Sequence, residues 1–527
     1  MTRCRGTRLV AAALLACAAW PAAAQEARPA SRPRTLAEDL QLLGQVINQV
    51  RLNHADSLDL HRLMLSAVVG LLRAADPHSY VMPAMRLAGT AEALANDGKL
   101  TPVPILFRYA DGVPVVAAVA AGAARAVGDV RVGDILVAID GAPVADDNAE
   151  ALDATLAGPP KSTVRLTFER ERTDGTSVRL ERPVRRVAID DPAAPATTGL
   201  MLSADVGYVR LTTFVGSRIA SDLQRTLDSL DRAGMQRLVL DLRDNGGGRV
   251  DQASTVAGSF LPAGKVVYTA AGRRSDVTDT GRVERAFWRN PRNVPVAVLI
   301  NEGTASASEL VAGALQDYDR AVIVGRPSFG KALLMRGFPL TDGSVLMLVV
   351  GQIRTPCGRA VQREYRGLRA AEYFREAGAA PDTAGRPTCR TTGGRTVYGG
   401  GGIYPDVVLA PVPKRPEWWN RLEEEGILER WAAAYAGETG GPGRSLAAYL
   451  ASPPSPDALV ASLRTFAAGA GVTLPEPGAD AERFGRRLQA AVAAVTWGEA
   501  GAIRVLAPAD AEVRAAVAAL AARPRAP

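Results

Sequence analysis

Histidine is nearly missing from this chain. Three occur in 527 residues, His54, His61 and His78, all before residue 80. A hydrolase with a histidine general base would have to carry one of them across the fold to its nucleophile. Cysteine is almost as scarce, at four. No Cys/His cluster stands at metal-ligand spacing, so no metal is expected. Beyond the first 25 residues no segment reaches about 18 uninterrupted apolar residues, so no transmembrane helix is expected. There is also no long basic run with interleaved aromatics, which argues against nucleic acid as a partner. The formal charge is +7, and Arg3, Arg5 and Arg8 supply three of those charges. The rest is scattered, as on a solvated surface.

What is present begins with a leader. Arg3 to Arg8 form a basic region, Leu9 to Trp20 an apolar stretch too short to span a bilayer, and Ala22-Ala23-Ala24 a small-residue cleavage site before Gln25. Residues 1–24 therefore read as a signal peptide, and the protein as exported, periplasmic or in the cell envelope. The alternative is a lipobox, Leu14-Leu15-Ala16-Cys17, with Cys17 acylated and the chain attached to a membrane by a lipid anchor. Once the leader is removed at Gln25 only Cys357 and Cys389 remain. Two cysteines in an exported protein suggest one disulfide, with two separate buried thiols as the other reading.

At 47% apolar residues and this length, three or four globular domains are expected. Residues 25–37 form a Pro/Arg/Ala-rich linker. Residues 38–88 read as helical: Leu40, Leu43, Val46, Ile47 and Val50 recur at helical spacing, and a second run, Leu58 to Leu72, stops before Asp76-Pro77-His78-Ser79. In residues 98–188, Val132 to Gly141 runs from a Gly-Asp turn through a β-rich stretch to the hairpin pair Asp140-Gly141. A helix-like 148–157 and a strand from Thr163 to Glu169 follow. Asp190 to Pro195 is a linker. Strands and helices then alternate from 205 to about 356, which argues an α/β core with a largely buried sheet. Residues 411–527 are Ala- and Leu-rich with helical periodicity.

Two segments of the α/β stretch carry chemistry. Ser306 fits Ser-x-x-Glu with Glu309, a capping box at a helix start. The same geometry exposes a hydroxyl and aims backbone N–H groups at developing negative charge. Lys331 follows 25 residues later, flanked by Phe329, Ala332, Leu333 and Leu334. Such neighbours can lower a lysine pKa, and a neutral lysine can take the proton from a serine hydroxyl. Upstream, Leu240 to Gly248 ends a strand in a glycine loop able to present N–H groups to an oxyanion.

Residues 305–331 closely resemble the active-site stretch of the C-terminal processing peptidases, the tail-specific serine proteases of peptidase family S41. Asp76-Pro77-His78-Ser79, Asp241-Leu242-Arg243-Asp244-Asn245-Gly246-Gly247-Gly248 and Gly399 to Asp406 resemble further elements of that family, and residues 98–188 resemble a PDZ domain. The likeness covers roughly residues 38–410. It implies a multidomain α/β protein: a crotonase-like α/β peptidase core over 196–410 with an inserted PDZ β-domain, an N-terminal helical segment and a C-terminal helical appendage. It further implies a Ser306/Lys331 dyad, with Ser308 the nearby alternative nucleophile, and an oxyanion hole from Gly247 and Ala307, with Gly246 also able to donate. No cofactor is implied. The expected partners are unfolded or extended polypeptides, with cleavage near their C-terminus as one form of the activity.

Two departures stand out. The family usually carries a glutamine four residues after the lysine, and this chain has Met335 there. If the segment is a strand, Lys331 and Met335 share a face. The stretch where the PDZ carboxylate loop belongs, Pro102-Val103-Pro104-Ile105-Leu106-Phe107, has prolines, which donate no N–H. Two other functions stay open. A catalytically weak or inactive PDZ-bearing scaffold would bind peptides only. Gly325-x-x-x-x-Gly330-Lys331 nearly matches a phosphate-binding loop, but Ala332 stands where the Ser/Thr belongs and a strand is expected where a helix is needed.

Overall fold

The computed structural model describes residues 34–58, 60–82, 101, 103–110, 113–119, 124–144, 152, 156–187, 196–215, 218–284, 290–341, 343–368, 373, 383–440 and 445–522. The leader with Cys17, and the Asp190–Pro195 linker, lie outside them. The chain divides into two compact units, residues 1–71 and 72–527.

In the first unit helix α1 (Leu36–Asn53) starts at a reciprocal cap: Glu38 N–H donates to Thr35 Oγ1 at 3.3 Å, and Thr35 N–H to Glu38 Oε2 at 2.7 Å. Its predicted apolar stripe forms, yet Leu40, Leu43 and Val46 are all more than 40% exposed. Helix α2 (Leu60–Ala75) ends where expected. The stop is an Asx turn: Asp76 Oδ1 accepts from the backbone N–H of both His78 and Ser79 at 2.7 Å.

The second unit begins at Leu72, and its first strand is β1 (Tyr80–Met82). The PDZ segment follows: β2 (Ile105–Ala110), β3 (Val113–Val119), α3 (Ala124–Val127), β4 (Ile135–Ile139), β5 (Ala142–Pro143), β6 (Thr163–Glu171) and β7 (Ser177–Arg185). These form one antiparallel sheet in the order β2-β3-β4-β6-β7, with β5 on β4. Asp140 and Gly141 both have positive φ, 49° and 85°, as the two-residue hairpin turn between β4 and β5 requires. Of helix-like 148–157 only Leu152, Leu156 and Ala157 are described, and both leucines are buried. Pro102 lies outside the described residues; Pro104 immediately precedes β2.

The α/β core is built on a six-stranded sheet. Its strands are β8 (Thr197–Met201), β9 (Val206–Leu211), β10 (Arg237–Asp241), β13 (Val296–Ile300), β14 (Ala321–Gly325) and β19 (Val407–Val408), in the order β19-β14-β13-β10-β9-β8. All neighbours are parallel except β8, which pairs antiparallel with β9 at the edge. Every residue of β13 and β14 is buried, as the unbroken apolar runs VAVLI and AVIVG require when both faces are covered. Helices α4 (Ile219–Arg232), α5 (Val250–Ala257) and α6 (Ala307–Asp317) share one core with Leu238, Leu240, Val296, Val298 and Ile300. A second, antiparallel sheet holds β1, β11 (Val266–Gly272), β12 (Thr278–Arg282), β15 (Leu333–Pro339) and β16 (Val345–Arg354). A small hairpin, β17 (Thr388–Arg390) and β18 (Thr396–Tyr398), precedes β19.

The C-terminal region contains α7 (Glu417–Glu424), α8 (Ile427–Glu438), α9 (Leu446–Ala451), α10 (Pro456–Gly469), α11 (Ala481–Leu506) and α12 (Ala511–Ala521). Trp419, Trp431, Phe484 and Leu488 centre a bundle core of their own. The bundle touches the antiparallel sheet of β2 to β7, where Arg430 donates to Glu171 at 3.0 Å and Thr173 N–H to Glu438 at 2.9 Å. Its last helix does something the sequence did not foretell. Val513, Ala516 and Leu520 of α12, with Ile503 and Ala507, cover the second face of the core sheet at Tyr208, Val239, Ala297, Leu299 and Val324. The packing of the α/β core therefore extends past residue 410 to α12.

Candidate active site

Three loops leave the carboxyl ends of β10, β13 and β14, the edge where open α/β sheets place their sites. Hydrogen bonds between loops fix their relative positions. Asn301 Oδ1 accepts from the N–H of Asp244 at 2.9 Å and of Gly303 at 3.0 Å, while its Nδ2 donates to Asp244 Oδ1 at 2.8 Å. Thr304 Oγ1 donates to Leu242 O at 2.8 Å. Ala305 N–H and Ser308 Oγ both donate to Asn245 O, at 3.0 and 2.9 Å. Ser308, the alternative nucleophile, is fully buried and spent on this bond.

Ser306 heads α6 with φ 56° and ψ −119°, a region that non-glycine residues seldom occupy. Such strain places a hydroxyl at the tip of a sharp strand-to-helix turn. Gly247 packs directly beneath. A Cβ there would lie 2.7 Å from Ala305 O, 2.8 Å from Ala307 N and 2.8 Å from Ser306 Cβ, and its φ is +92°. Glycine is required on both counts. Gly247 N–H donates to Asn245 Oδ1 at 2.9 Å. The first amide of α6, Ala307 N–H, has no acceptor among the described contacts, as a helix start allows.

Glu309 is the residue that sequence reasoning undervalued. It returns the capping box, accepting Ser306 N–H on Oε2 at 2.9 Å. The same carboxylate also accepts Lys331 N–H on Oε2 at 2.8 Å, and Gly330 N–H and Ser328 Oγ on Oε1 at 2.8 and 2.5 Å. It is fully buried, and burial pushes its pKa up to about 7 against the pull of those four donors. The Ser-x-x-Glu spacing was the signal; its long-range partners were not visible along the chain. These bonds also occupy the amides that a phosphate would need, and Lys331 leads into strand β15, so the phosphate-loop reading fails.

Lys331 is mostly buried, and burial holds its pKa below the ordinary lysine value while the charges of Glu309 and Asp76 oppose the shift. No hydrogen bond joins its Nζ to Ser306 Oγ. Folding brings His78 to this loop. Its ring lies 6.4 Å from Phe329 and 5.3 Å from Tyr373, edge-on to both, and Nε2 pairs with Tyr373 OH at 3.0 Å. Burial, then the charge of Lys331, lowers its pKa to about 4. Asp76 meets the backbone of His78, through the Asx turn, while the ring points to the tyrosine. Gln362 adds another contact: it accepts Ala332 N–H at 2.8 Å and donates to Tyr373 OH at 3.2 Å.

Lys331 precedes β15 by two residues, so the two-residue alternation of that strand begins after it and does not by itself set Met335 on the same face as Lys331. The register shift opposite Leu334 and Met335 is taken up by Val350 of β16. Cys357 and Cys389 are bonded, with Cα atoms 6.1 Å apart. The bond lies beside Asp317, which takes Cys357 N–H at 3.0 Å and pairs with Arg359 at 2.8 Å.

The chain is similar to known proteins over both the α/β core and the antiparallel sheet of residues 105–185. The family model for peptidase family S41 matches residues 205–370, and that for the PDZ domain matches residues 115–170. The chain is 30% identical over 329 residues to the carboxy-terminal-processing protease of Bartonella bacilliformis, covering 62% of this chain and 73% of the relative. It is 34% identical over 224 residues to the carboxyl-terminal-processing protease of a Synechocystis species, 42% of this chain and 50% of that one. Among solved structures, a photosystem II D1 C-terminal processing protease aligns at 25% identity and a TM-score of 0.34, over 70% of this chain and 86% of the other.

Proposed function

Since the chain belongs to the carboxy-terminal-processing proteases of peptidase family S41, we propose that it cleaves polypeptides with Ser306 as nucleophile and Lys331 as general base. The observation that carries this is the single oxygen, Glu309 Oε2, that holds the backbones of both residues. It keeps the two side chains in one neighbourhood although 25 residues separate them. Burial favours the neutral lysine that such a base must be. In the reaction Lys331 Nζ takes the Ser306 proton as Oγ attacks the peptide carbonyl, then returns it to the leaving amine. Ala307 N–H and Gly247 N–H receive the oxyanion. The first has no competing acceptor, and the second is released when an oxyanion displaces the neutral Asn245 amide oxygen. Dyad contacts commonly tighten only around substrate, so the missing Nζ–Oγ bond fits a resting site.

Unfolded or extended polypeptides are the substrates this reading implies, with the PDZ domain presenting an end of the chain by strand addition. The leader would deliver the protein to the cell envelope, soluble or anchored at Cys17. Incubating the purified protein with an unfolded polypeptide, beside Ser306→Ala and Lys331→Ala, tests the proposal. Wild type should cleave, and each variant should lose nearly as much activity as the double variant, because the pair acts as a unit. Cleavage by Ser306→Ala, or substantial activity in Lys331→Ala, would defeat the dyad. An inert wild type would leave the peptide-binding scaffold.

A further inference from the structure

One carboxylate of the C-terminal helix reaches the three loops that carry the proposed chemistry. Asp510 caps α12 by accepting the N–H of Glu512 at 2.8 Å and of Val513 at 3.2 Å. Glu512 is 7% exposed. Its Oε2 accepts from Arg243 Nη1 at 2.5 Å, and its Oε1 pairs with Arg326 Nη1. Arg243 opens the glycine loop and also grips Asp241, at the end of β10, and Asp510. Arg326 opens the loop that leads to Lys331. Its Nε donates to Glu302 Oε2 at 2.9 Å, and Glu302 lies in the loop that leads to Ser306. Both guanidinium side chains are about nine-tenths buried.

Resting on the dyad reading above, we infer that Glu512 is a positioning residue for the peptidase reaction. Through two arginines it holds the oxyanion loop, the nucleophile loop and the lysine loop in one arrangement. Without it two buried guanidinium groups would face each other without the carboxylate between them, which favours separation of the loops. Misplacing reacting groups by about 1 Å can cost about a hundredfold in rate. The docking of α12 does not depend on this ion cluster alone, because Val513, Ala516 and Leu520 pack on the sheet by apolar contact. Stability and positioning are therefore separable by mutation.

The test uses the full chain and an unfolded polypeptide. Glu512→Gln keeps the volume and removes the charge; it should lower kcat about tenfold and leave KM within about twofold. Glu512→Asp keeps the charge on a shorter arm and should fall between wild type and Glu512→Gln. Leu520→Ala, in the same helix but outside the ion cluster, should lower the thermal midpoint at least as much as Glu512→Gln while keeping kcat. The inference is overturned if Glu512→Gln keeps wild-type kcat, if Glu512→Asp is no better than Glu512→Gln, or if Leu520→Ala loses as much kcat as Glu512→Gln. Activity that survives Ser306→Ala would instead defeat the dyad, and the inference with it.

Discussion

Ser306 and Lys331 give their backbone N–H groups to the same oxygen, Glu309 Oε2, at 2.9 and 2.8 Å. The other oxygen takes Gly330 N–H and Ser328 Oγ. Three of the four partners are N–H groups, which can only donate, so an amide in place of the carboxylate must aim its NH2 at one or two of them. Glu309→Gln should therefore cost about 1–3 kcal/mol of stability, the penalty for buried groups left unpaired. It should also lower kcat far more than KM. Denaturant unfolding together with steady-state cleavage checks this, and a fully active Glu309→Gln would show that the shared oxygen is incidental.

Gly247→Ala tests the packing under the nucleophile. The new methyl meets Ala305 O, Ala307 N and Ser306 Cβ at under 3 Å, on a backbone with φ +92°. Moving the loop away removes one oxyanion donor, so kcat should fall about a hundredfold or more. Gly246→Ala, where a Cβ meets nothing within 4 Å, is the control and should remain active.

The pH dependence has a definite sign. Lys331 works as a base only when neutral, and its pKa is lowered by burial. Activity should rise with pH and level off below the ordinary lysine range. His78, lowered to about 4, is neutral throughout that rise, so the ascending limb should persist in His78→Gln. Stability moves the other way where Glu309 titrates. Its folded pKa, about 7, is raised above the unfolded value of 4.5, so its contribution is complete below 4.5 and lost as pH climbs through 7. Activity that peaks near pH 5 and declines toward 8 would rule out a neutral lysine base.

Reduction of the Cys357–Cys389 bond should lower stability by about 3–4 kcal/mol on the chain-entropy account of a loop of this length. The bonded residues lie 32 apart in sequence, and the intervening chain supplies Gln362 and Tyr373 to the His78 cluster. Unfolding curves with and without dithiothreitol, beside Cys357→Ser/Cys389→Ser, measure it. Equal curves would assign the bond no stabilising role.

Met335→Gln should leave cleavage within a few-fold of wild type. Lys331 lies ahead of β15, so strand alternation does not aim residue 335 along the same face as Lys331. A large gain on introducing glutamine would mean that the lysine lacks an orienting partner in the native chain.

Much of the site could be read along the chain because its parts are local. Ser306, Ala307 and Glu309 form one helix start, and Gly246 to Gly248 form one strand-to-helix turn; short-range capping and turn chemistry dictate both. The buried sheet was likewise legible, since strands such as 296–300 and 321–325 are apolar on both faces. His78 and Gln362 were not legible as neighbours of the lysine loop. A turn motif shows how His78 is capped and carries no information on what its ring meets.

The C-terminal helix marks the boundary most clearly. Periodicity pointed to helix within residues 411–527, because the spacing of apolar residues is a property of the chain itself. What that helix covers, and that Glu512 meets Arg243 and Arg326, depends on contacts between residues nearly 190 or more positions apart. Local sequence determined which segments coil, turn and cap. Only the tertiary structure decided which charges share a buried site, because ion pairing over such separations requires the intervening chain to have folded first.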